Sequence, residues 1–347
     1  MSRPLATVNP AVMMSGWLNR CNTGGFSIIM MSKVAMTAFN GQSTTDDVVQ
    51  GIDLSGKTAL VTGASSGLGF ETARSLAKIG ARVIITARSE EKAAAARKEL
   101  LEAVPGADIS TLVLELSELD QVRSAAEELL SRESCIDLLI NNAGIMACPL
   151  ERTREGCELQ FGANHIGHFL FTCLIAPALK KSAALRVVNL SSAGHKYAPV
   201  DFDDPHYNER EYDKWNAYGQ AKTANIWFSL GLTKRGITSN AVHPGAIMTN
   251  LGRHMTEDDM KAFGSQAHES GFEFKSVEQG AATSVWAATC AELEGRGGLY
   301  LEDCQVGEPV TESKPAAGYA DYALDEAAAE RLWALSEEIV GQRFTLT

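Results

Sequence analysis

The chain has 347 residues, 45% of them hydrophobic and 21% charged, with a formal net charge of −12, a globular composition long enough for one large α/β domain or two small ones. No apolar run approaches the roughly 18 residues that a membrane-spanning helix needs, and the acidic balance argues against nucleic acid or anionic membranes as partners. Seven cysteines without a Cys-x-x-Cys pair argue against a disulfide framework or a zinc site and for a reducing compartment, so a cytoplasmic setting is expected.

Residues 1–45 contain no Asp or Glu and carry Arg3, Arg20 and Lys33. Targeting peptides share that bias, and organellar targeting stays open, but Pro10 and Gly24-Gly25 interrupt any amphipathic helix. The stretch 1–50 is therefore read as a flexible N-terminal extension, and 51–347 as one domain.

From Lys57 onward strand and helix signals alternate. Short apolar strands are expected at 58–62, 82–86, 110–114, 136–140, 185–190 and 238–242, with a seventh at 299–301. Helices are expected at 68–79, 89–103, 119–130, 154–180, 218–233 and 277–289, the first ending at Gly80 and the second at Pro105-Gly106. Apolar strands separated by helices indicate an α/β fold, a doubly wound parallel sheet of about seven strands with helices on both faces. Ligands of such sheets bind at the carboxyl ends of the strands, so the chemistry is to be sought just after each one.

The first strand runs into Thr62-Gly63-Ala64-Ser65-Ser66-Gly67-Leu68-Gly69. Gly63 suits a tight turn, Gly67 lets backbone approach a pyrophosphate, and Gly69 permits close packing of helix on strand. The following helix offers free N–H groups and a partial positive charge to the anion. A dinucleotide unit for NAD usually places an acid about 20 residues after such a turn. Here Ala87 stands 18 residues after Gly69 and Arg88 follows. The missing acid and the guanidinium favour the 2′-phosphate of NADP(H), with NAD(H) as the alternative.

After the fifth strand comes Asn189-Leu190-Ser191-Ser192, and later Tyr218-Gly219-Gln220-Ala221-Lys222. Four-residue spacing puts Tyr218 and Lys222 on one helix face. An adjacent ammonium, together with the positive nicotinamide ring of an oxidised cofactor, is expected to lower the pKa of the phenol, letting Tyr218 exchange the hydroxyl proton while a hydride moves. A serine hydroxyl at a neighbouring strand end would hold the substrate oxygen.

With these motifs in order, residues 55–310 resemble the short-chain dehydrogenase/reductase family, a group with a single Rossmann-type domain. Asn141-Asn142-Ala143-Gly144, Asn164 and Pro244-Gly245-Ala246-Ile247-Met248-Thr249 complete the match. The resemblance implies a catalytic tetrad of Asn164, Ser192, Tyr218 and Lys222. In it Tyr218 is the acid/base, Ser192 orients the substrate oxygen, Lys222 also holds the nicotinamide ribose, and Asn164 supports a water-linked relay to Lys222. It implies cofactor contacts from Gly63, Ser65, Ser66, Gly67, Leu68, Gly69, Arg88, Glu115, Leu116, Asn142, Ala143, Gly144, Tyr218, Lys222, Pro244, Gly245, Ile247 and Thr249. The texture Asn164-His165-Ile166-Gly167-His168-Phe169 and Tyr218-Gly-Gln-Ala-Lys-Thr-Ala-Asn-Ile226 is similar to the retinol-dehydrogenase-like branch. Protochlorophyllide reductases and the oxidoreductase domain of WW-domain oxidoreductases are similar relatives. The branch implies an alcohol or carbonyl substrate of lipophilic character.

Three features depart from the family pattern. Glu115-Leu116 stands where Asp-Leu or Asp-Val is usual. Ser192 and Tyr218 are 26 residues apart, about twice the common spacing, and the insert 193–217 is read as an active-site loop. Its acids (Asp201, Asp203, Asp204) and aromatics (Tyr197, Tyr207, Tyr212, Trp215) either shape the pocket or face solvent. Lys222 to Pro244 is about one helical turn short, which bears on helix packing or an oligomer face, and a homo-oligomer stays open. A lid is expected near 250–275, with Met255, Met260, Phe263, Phe272 and Phe274 over the substrate or as the inner face of a small helix. Met146 and Tyr197 are further candidates for substrate contact. His165 and His168 lack an evident third metal ligand nearby, so packing or hydrogen bonding is expected of them. Two rival readings are a nucleotide-binding regulatory protein without catalysis, which the intact Ser192, Tyr218 and Lys222 disfavour, and a reductase of a C=C bond.

Overall fold

The computed structural model describes residues 39–261, 274–312 and 317–346. Strands β1 (Thr58–Val61), β2 (Arg82–Ala87), β3 (Ile109–Val113), β4 (Leu138–Asn141), β5 (Arg186–Leu190), β6 (Ser239–His243), β7 (Tyr300–Glu302) and β8 (Gln305–Val306) form one sheet in the order β3-β2-β1-β4-β5-β6-β7-β8. The first seven pair in parallel, and β8 pairs antiparallel with β7. Successive side chains of a strand point to opposite faces. Ala59 and Val61 of β1 accordingly join one core with Val83, Ile85 and Ile140, while Leu60 joins the other with Ile84 and Leu139. Both faces are dry because helices cover both, which is why the strands read as continuous apolar runs.

Helices α2 (Gly67–Lys78), α3 (Glu90–Ala103) and α8 (Val277–Thr289) contribute to one core. Helices α4 (Leu119–Arg132), α6 (Gly167–Leu179), α7 (Lys214–Lys234) and α9 (Glu326–Val340) contribute to the other. The strand order reverses at β1, whose neighbours are β2 and β4. Crossovers leave this point to opposite sides, so a crevice opens at the carboxyl ends of β1 and β4.

Four local features differ from the expectations. The helix expected over 154–180 begins only at α5 (Leu159–Phe161). Gly156, at φ 84°, turns the chain into a short bridge between Arg152 and Glu158. The Glu158 carboxylate then caps the new helix by accepting from the Gln160 and Phe161 N–H groups. Between α5 and α6 the chain makes a π-helical turn, Gly162–Ile166. An eighth strand follows from a two-residue hairpin at Asp303 and Cys304, with φ of 52° and 55°. Positive φ at both positions fits a tight hairpin turn, but no Asn-Gly or Asp-Gly pair announces it.

Helix α9 carried no expectation, although Asp325 caps its start and Gly341, at φ 65°, its end. Its Trp333 covers α6 and α7, with a ring 4.9 Å from Phe169 and under the Arg235 guanidinium at 3.8 Å. Finally, residues 39–50, assigned to a flexible extension, belong to the folded body. Helix α1 (Thr45–Val48) buries Thr45 and Val48, and Asp46 pairs with Arg74 and Lys78 of α2. The remainder of that expected extension, 1–38, lies outside the described residues.

Candidate active site

At the carboxyl ends of the strands lies a cavity of about 1400 Å³. It is lined by residues of the loops after β1 to β6 and by Tyr218 and Lys222 of α7, and every residue expected to touch a cofactor lies on its wall. Gly63 and Gly67 have φ of 64° and 59°, a left-handed backbone that glycine adopts without strain. A Cβ on Gly69 would stand 2.6 Å from the Gly63 carbonyl oxygen and would force α2 away from the turn. Ser66, the N-cap of α2, makes no side-chain capping bond. The helix therefore presents unpaired N–H groups and its positive end to the cavity, a fit for a pyrophosphate.

Around this floor, Arg88 follows β2 at an exposed position and Lys92 stands one helical turn on; both line the cavity. Arg253, in the 3₁₀ turn Asn250–His254, lines it as well. Burial and then the Arg88 charge depress the Arg253 pKa. Sequence reasoning missed Lys92 and Arg253. The i, i+4 spacing from Arg88 could have signalled Lys92, whereas Arg253 comes from the variable lid. Glu115 reaches the wall, but its carboxylate accepts from Ser117 N and Oγ at 3.2 and 2.8 Å.

The Asn142-Ala143-Gly144 loop is held from below. Thr62 Oγ1 accepts from the N–H groups of Asn142 and Ala143 at 2.9 and 3.0 Å. It also lies 2.9 Å from His168 Nε2, and His168 Nδ1 lies 2.9 Å from the Asn164 carbonyl oxygen. That carbonyl can only accept, so Nδ1 carries the proton and Thr62 donates to Nε2. Burial pushes the His168 pKa down to about 4, which suits this neutral ring. His165 instead meets Ser336 Oγ of α9 at 2.8 Å, so the two histidines serve different partners.

On the opposite wall, Lys222 and Tyr218 are each only 4% exposed. Lys222 Nζ donates to the Leu190 carbonyl at 3.0 Å and lies 5.5 Å from the centre of the Tyr218 ring. Burial pushes the Lys222 pKa down to about 8. Burial also pushes the Tyr218 phenol up to about 12, against a lowering hydrogen bond with Ser192. The expectation that Lys222 lowers the phenol pKa is therefore corrected: in the protein alone desolvation wins. Ser192 Oγ accepts from Gly194 N at 3.0 Å. Asn164 lies behind the wall, fully buried, with its carboxamide clamping Ile145 through Oδ1 (2.8 Å) and Nδ2 (2.9 Å). A Cβ on Gly144 would lie 3.2 Å from Asn164 Oδ1 and 3.6 Å from Lys222 Nζ, so this glycine keeps open the gap between them.

The long insert is ordered. Its 3₁₀ turn, Ala193–Tyr197, follows Ser192 directly. Tyr197 and Trp215 reach the cavity wall, while Tyr207 and Tyr212 pack on each other at 5.1 Å. None of the acids lines the pocket: Asp203 faces solvent, and the other two hold the loop. Asp204 accepts from the N–H groups of Asn208, Glu209 and Arg210, and Asp201 from those of Asp203 and Asp204. Over the mouth, Met255 and Met260 line the cavity, and Asp259 forms an ion pair with Lys214 at the start of α7. Phe263 and Phe272 lie outside the described residues. Met146 lines the cavity; Phe274 is 44% exposed and is not part of its lining.

A doubly wound sheet, a glycine turn at its switch point and a Ser-Tyr-Lys group across the same cavity define a class of nucleotide-dependent oxidoreductases. The short chain dehydrogenase family profile matches residues 57–260, and the chain belongs to that family. It is similar to retinol dehydrogenase 14 of Homo sapiens, 41% identical over 303 residues, 82% of this chain and 87% of that protein. Short-chain dehydrogenase/reductase prx1 of Penicillium roqueforti is 42% identical over 289 residues, 81% and 84% of the two chains. Among solved structures, a gluconate 5-dehydrogenase from Burkholderia cenocepacia J2315, crystallised with NADP and tartrate, superposes with a TM-score of 0.58. It is 26% identical and covers 72% of this chain and 94% of its own. The chain is thus an oxidoreductase of the short-chain type with retinol-dehydrogenase-like relatives, and among its described residues no helix is long and apolar enough to cross a membrane.

Proposed function

We propose that this protein is an NADP(H)-dependent oxidoreductase that interconverts an alcohol and an aldehyde or ketone on a lipophilic small molecule. The observation that carries the proposal is the Tyr218 phenol, hydrogen-bonded by Ser192, on the wall of a cavity whose far end offers an uncapped helix N-terminus and Arg88. A nicotinamide dinucleotide bound along this cavity would supply or accept the hydride. Ser65 to Gly69 would hold its pyrophosphate. Arg88, aided by Lys92 and Arg253, would hold a 2′-phosphate, and the absence of an acid at Ala87 leaves nothing to repel one. Pro244, Gly245, Ile247 and Thr249 would line the nicotinamide end. The NADP in the gluconate 5-dehydrogenase structure supports the same choice.

The residues then divide the work on the substrate. Ser192 Oγ accepts the Gly194 N–H, and its one proton, shared with the Tyr218 oxygen in the protein alone, would turn to a bound substrate oxygen. Tyr218 is a neutral phenol at physiological pH, as burial requires, and is ready to protonate a carbonyl oxygen that gains negative charge. Lys222, fixed by the Leu190 carbonyl, keeps donors for a ribose hydroxyl. Asn164, by fixing Ile145, sets the loop whose Gly144 keeps the gap beside Lys222 open. The mouth is apolar: Tyr197, Met248 and Met260 line it and are 48%, 60% and 44% exposed. Such a rim favours a lipophilic substrate, as does the name of the retinol dehydrogenase relative.

The test is NADPH oxidation with aldehydes and ketones of increasing chain length. Turnover that rises with chain length is expected. A protein that turns over none of them, or only small polar ones, contradicts the proposal. Arg88→Ala is expected to weaken NADPH binding by roughly 10- to 100-fold while leaving NADH binding nearly unchanged. Undiminished NADPH affinity would remove the cofactor argument.

A further inference from the structure

His195 has no part in the chemistry above, yet each of its polar atoms has a defined partner. It is fully buried in the turn Ala193–Tyr197, which Ser192 caps. Its Nδ1 lies 2.6 Å from the Ser192 carbonyl oxygen. That oxygen can only accept, so Nδ1 carries the proton. Nε2 is then a bare lone pair, and the Ala320 backbone N–H donates to it at 3.1 Å. The His195 carbonyl oxygen accepts from the Tyr322 hydroxyl at 2.7 Å and from the Thr223 hydroxyl at 3.1 Å. Thr223 follows Lys222 on α7, whereas Ala320 and Tyr322 belong to the segment leading into α9. The same turn presses on the acid/base: a Cβ on Gly194 would lie 2.9 Å from Tyr218 Cε1.

We propose that neutral, Nδ1-protonated His195 is a positioning residue, its ring tying the Ser192 carbonyl to the segment 318–324 while its backbone carbonyl holds the turn to α7, and so setting the Ser192 hydroxyl against the Tyr218 phenol. The inference rests on the functional reading above, since it concerns the placement of that reaction's oxygen-binding group. The wiring needs one ring nitrogen that donates and one that accepts. Neutral histidine supplies both; a protonated ring would turn a donor toward the Ala320 N–H, and a phenyl ring supplies neither. Burial is the main cause that pushes the His195 pKa down to about 4, with the Ser192 hydrogen bond opposing it. The C-terminal segment thereby acts on the chemistry without touching the cavity.

Two measurements decide the matter. The first needs no substrate: nitrogen NMR of the ring, with His195→Gln for assignment. A proton on Nδ1, a bare Nε2 and no titration between pH 7 and about 5 are expected. A proton on Nε2, or ordinary titration near about 6.5, overturns the proposal. The second is a double-mutant cycle. In the parent, His195→Phe is expected to lower kcat by roughly 10- to 100-fold, as a misplaced group does, with NADPH affinity unchanged and with His195→Gln recovering part of the rate. In a Ser192→Ala background the same change should cost less than about threefold, because the group it positions is gone. Equal losses in both backgrounds, or none in the parent, overturn the proposal. If His195→Phe does not fold, Tyr322→Phe removes one donor to the same carbonyl and is judged by the same cycle. A parent that turns over no carbonyl overturns the functional reading instead, and the NMR arm still decides whether the clamp exists.

Discussion

A phenol buried as deeply as Tyr218 keeps its proton, and this sets how each direction of the proposed reaction depends on pH. With the phenol pushed up to about 12, carbonyl reduction is expected to be flat through neutral pH, because the proton donor is fully loaded. Alcohol oxidation needs phenolate and is expected to rise with pH until a nearby positive charge, such as an oxidised nicotinamide, has lowered the phenol. A pH series of initial rates in both directions checks this, and an oxidation rate independent of pH would contradict it. At this scale the legible residues were those whose partners are close in sequence. Tyr218 and Lys222 share a helix face by spacing alone, and Gly63, Gly67 and Gly69 share one turn. Thr62 and His168 are 106 residues apart, and His195 and Ala320 are 125 apart. No local pattern announces such pairs: packing or hydrogen bonding was expected of His168 without naming a partner, and His195 carried no expectation.

The elements were legible for a similar reason. A strand dry on both faces is a short apolar run, and β1 to β7 were each expected within a few residues of where they stand. The misses fall where a single backbone angle decides. Gly156 delays the helix, and the turn at Asp303 and Cys304 makes a strand that no glycine predicts. The π-helical turn before α6 brings Gly167 against the end of β3. A Cβ there would stand 2.8 Å from Leu116 Cβ and would also strike the Leu116 carbonyl. Backbone cannot move aside as a flexible side chain can, so Gly167→Ala is expected to destabilise the protein by about 1–3 kcal/mol. Urea unfolding measures this directly. A change near zero would mean that the contact between the π-helical turn and the end of β3 is looser than described.

For the molecule as a whole, the buried histidines make stability depend on pH. Burial is the leading cause that pushes His168 and His195 down to about 4 and His165 and His243 to about 3. Above the unfolded value of 6.5 all four are neutral in both states and there is no effect. As pH falls below 6.5 the unfolded chain takes up protons that the folded protein refuses. Stability is therefore lost from about pH 6.5 down to about 4, at roughly 1.4 kcal/mol per pH unit for each histidine. Unfolding curves at pH 7.5, 6 and 5 are expected to show this acid-side loss, and a stability constant across that range would contradict it. Three of these rings adjoin the site: His243 lines the cavity and its Nδ1 accepts from Ala193 N at 3.2 Å, next to Ser192, His195 sits in the turn that Ser192 caps, and His168 meets Thr62 under the Asn142 loop, whereas His165 packs in the core against α9. The acid-labile framework thus includes part of the framework that shapes the site. The parallel, doubly wound sheet and a site at the carboxyl ends of its strands were legible because crossovers of parallel strands admit few arrangements. The covering of α6 and α7 by α9 was not, because it depends on contacts between residues as distant in sequence as Phe169 and Trp333.

The central claim is that Tyr218 delivers the proton while NADPH reduces a lipophilic carbonyl. It is tested most directly by NADPH oxidation with a long-chain aldehyde, comparing the parent with Tyr218→Phe at matched NADPH occupancy. Loss of the phenolic proton should lower kcat by roughly 10²- to 10⁴-fold, with NADPH affinity retained. A Tyr218→Phe protein as active as the parent would contradict the account.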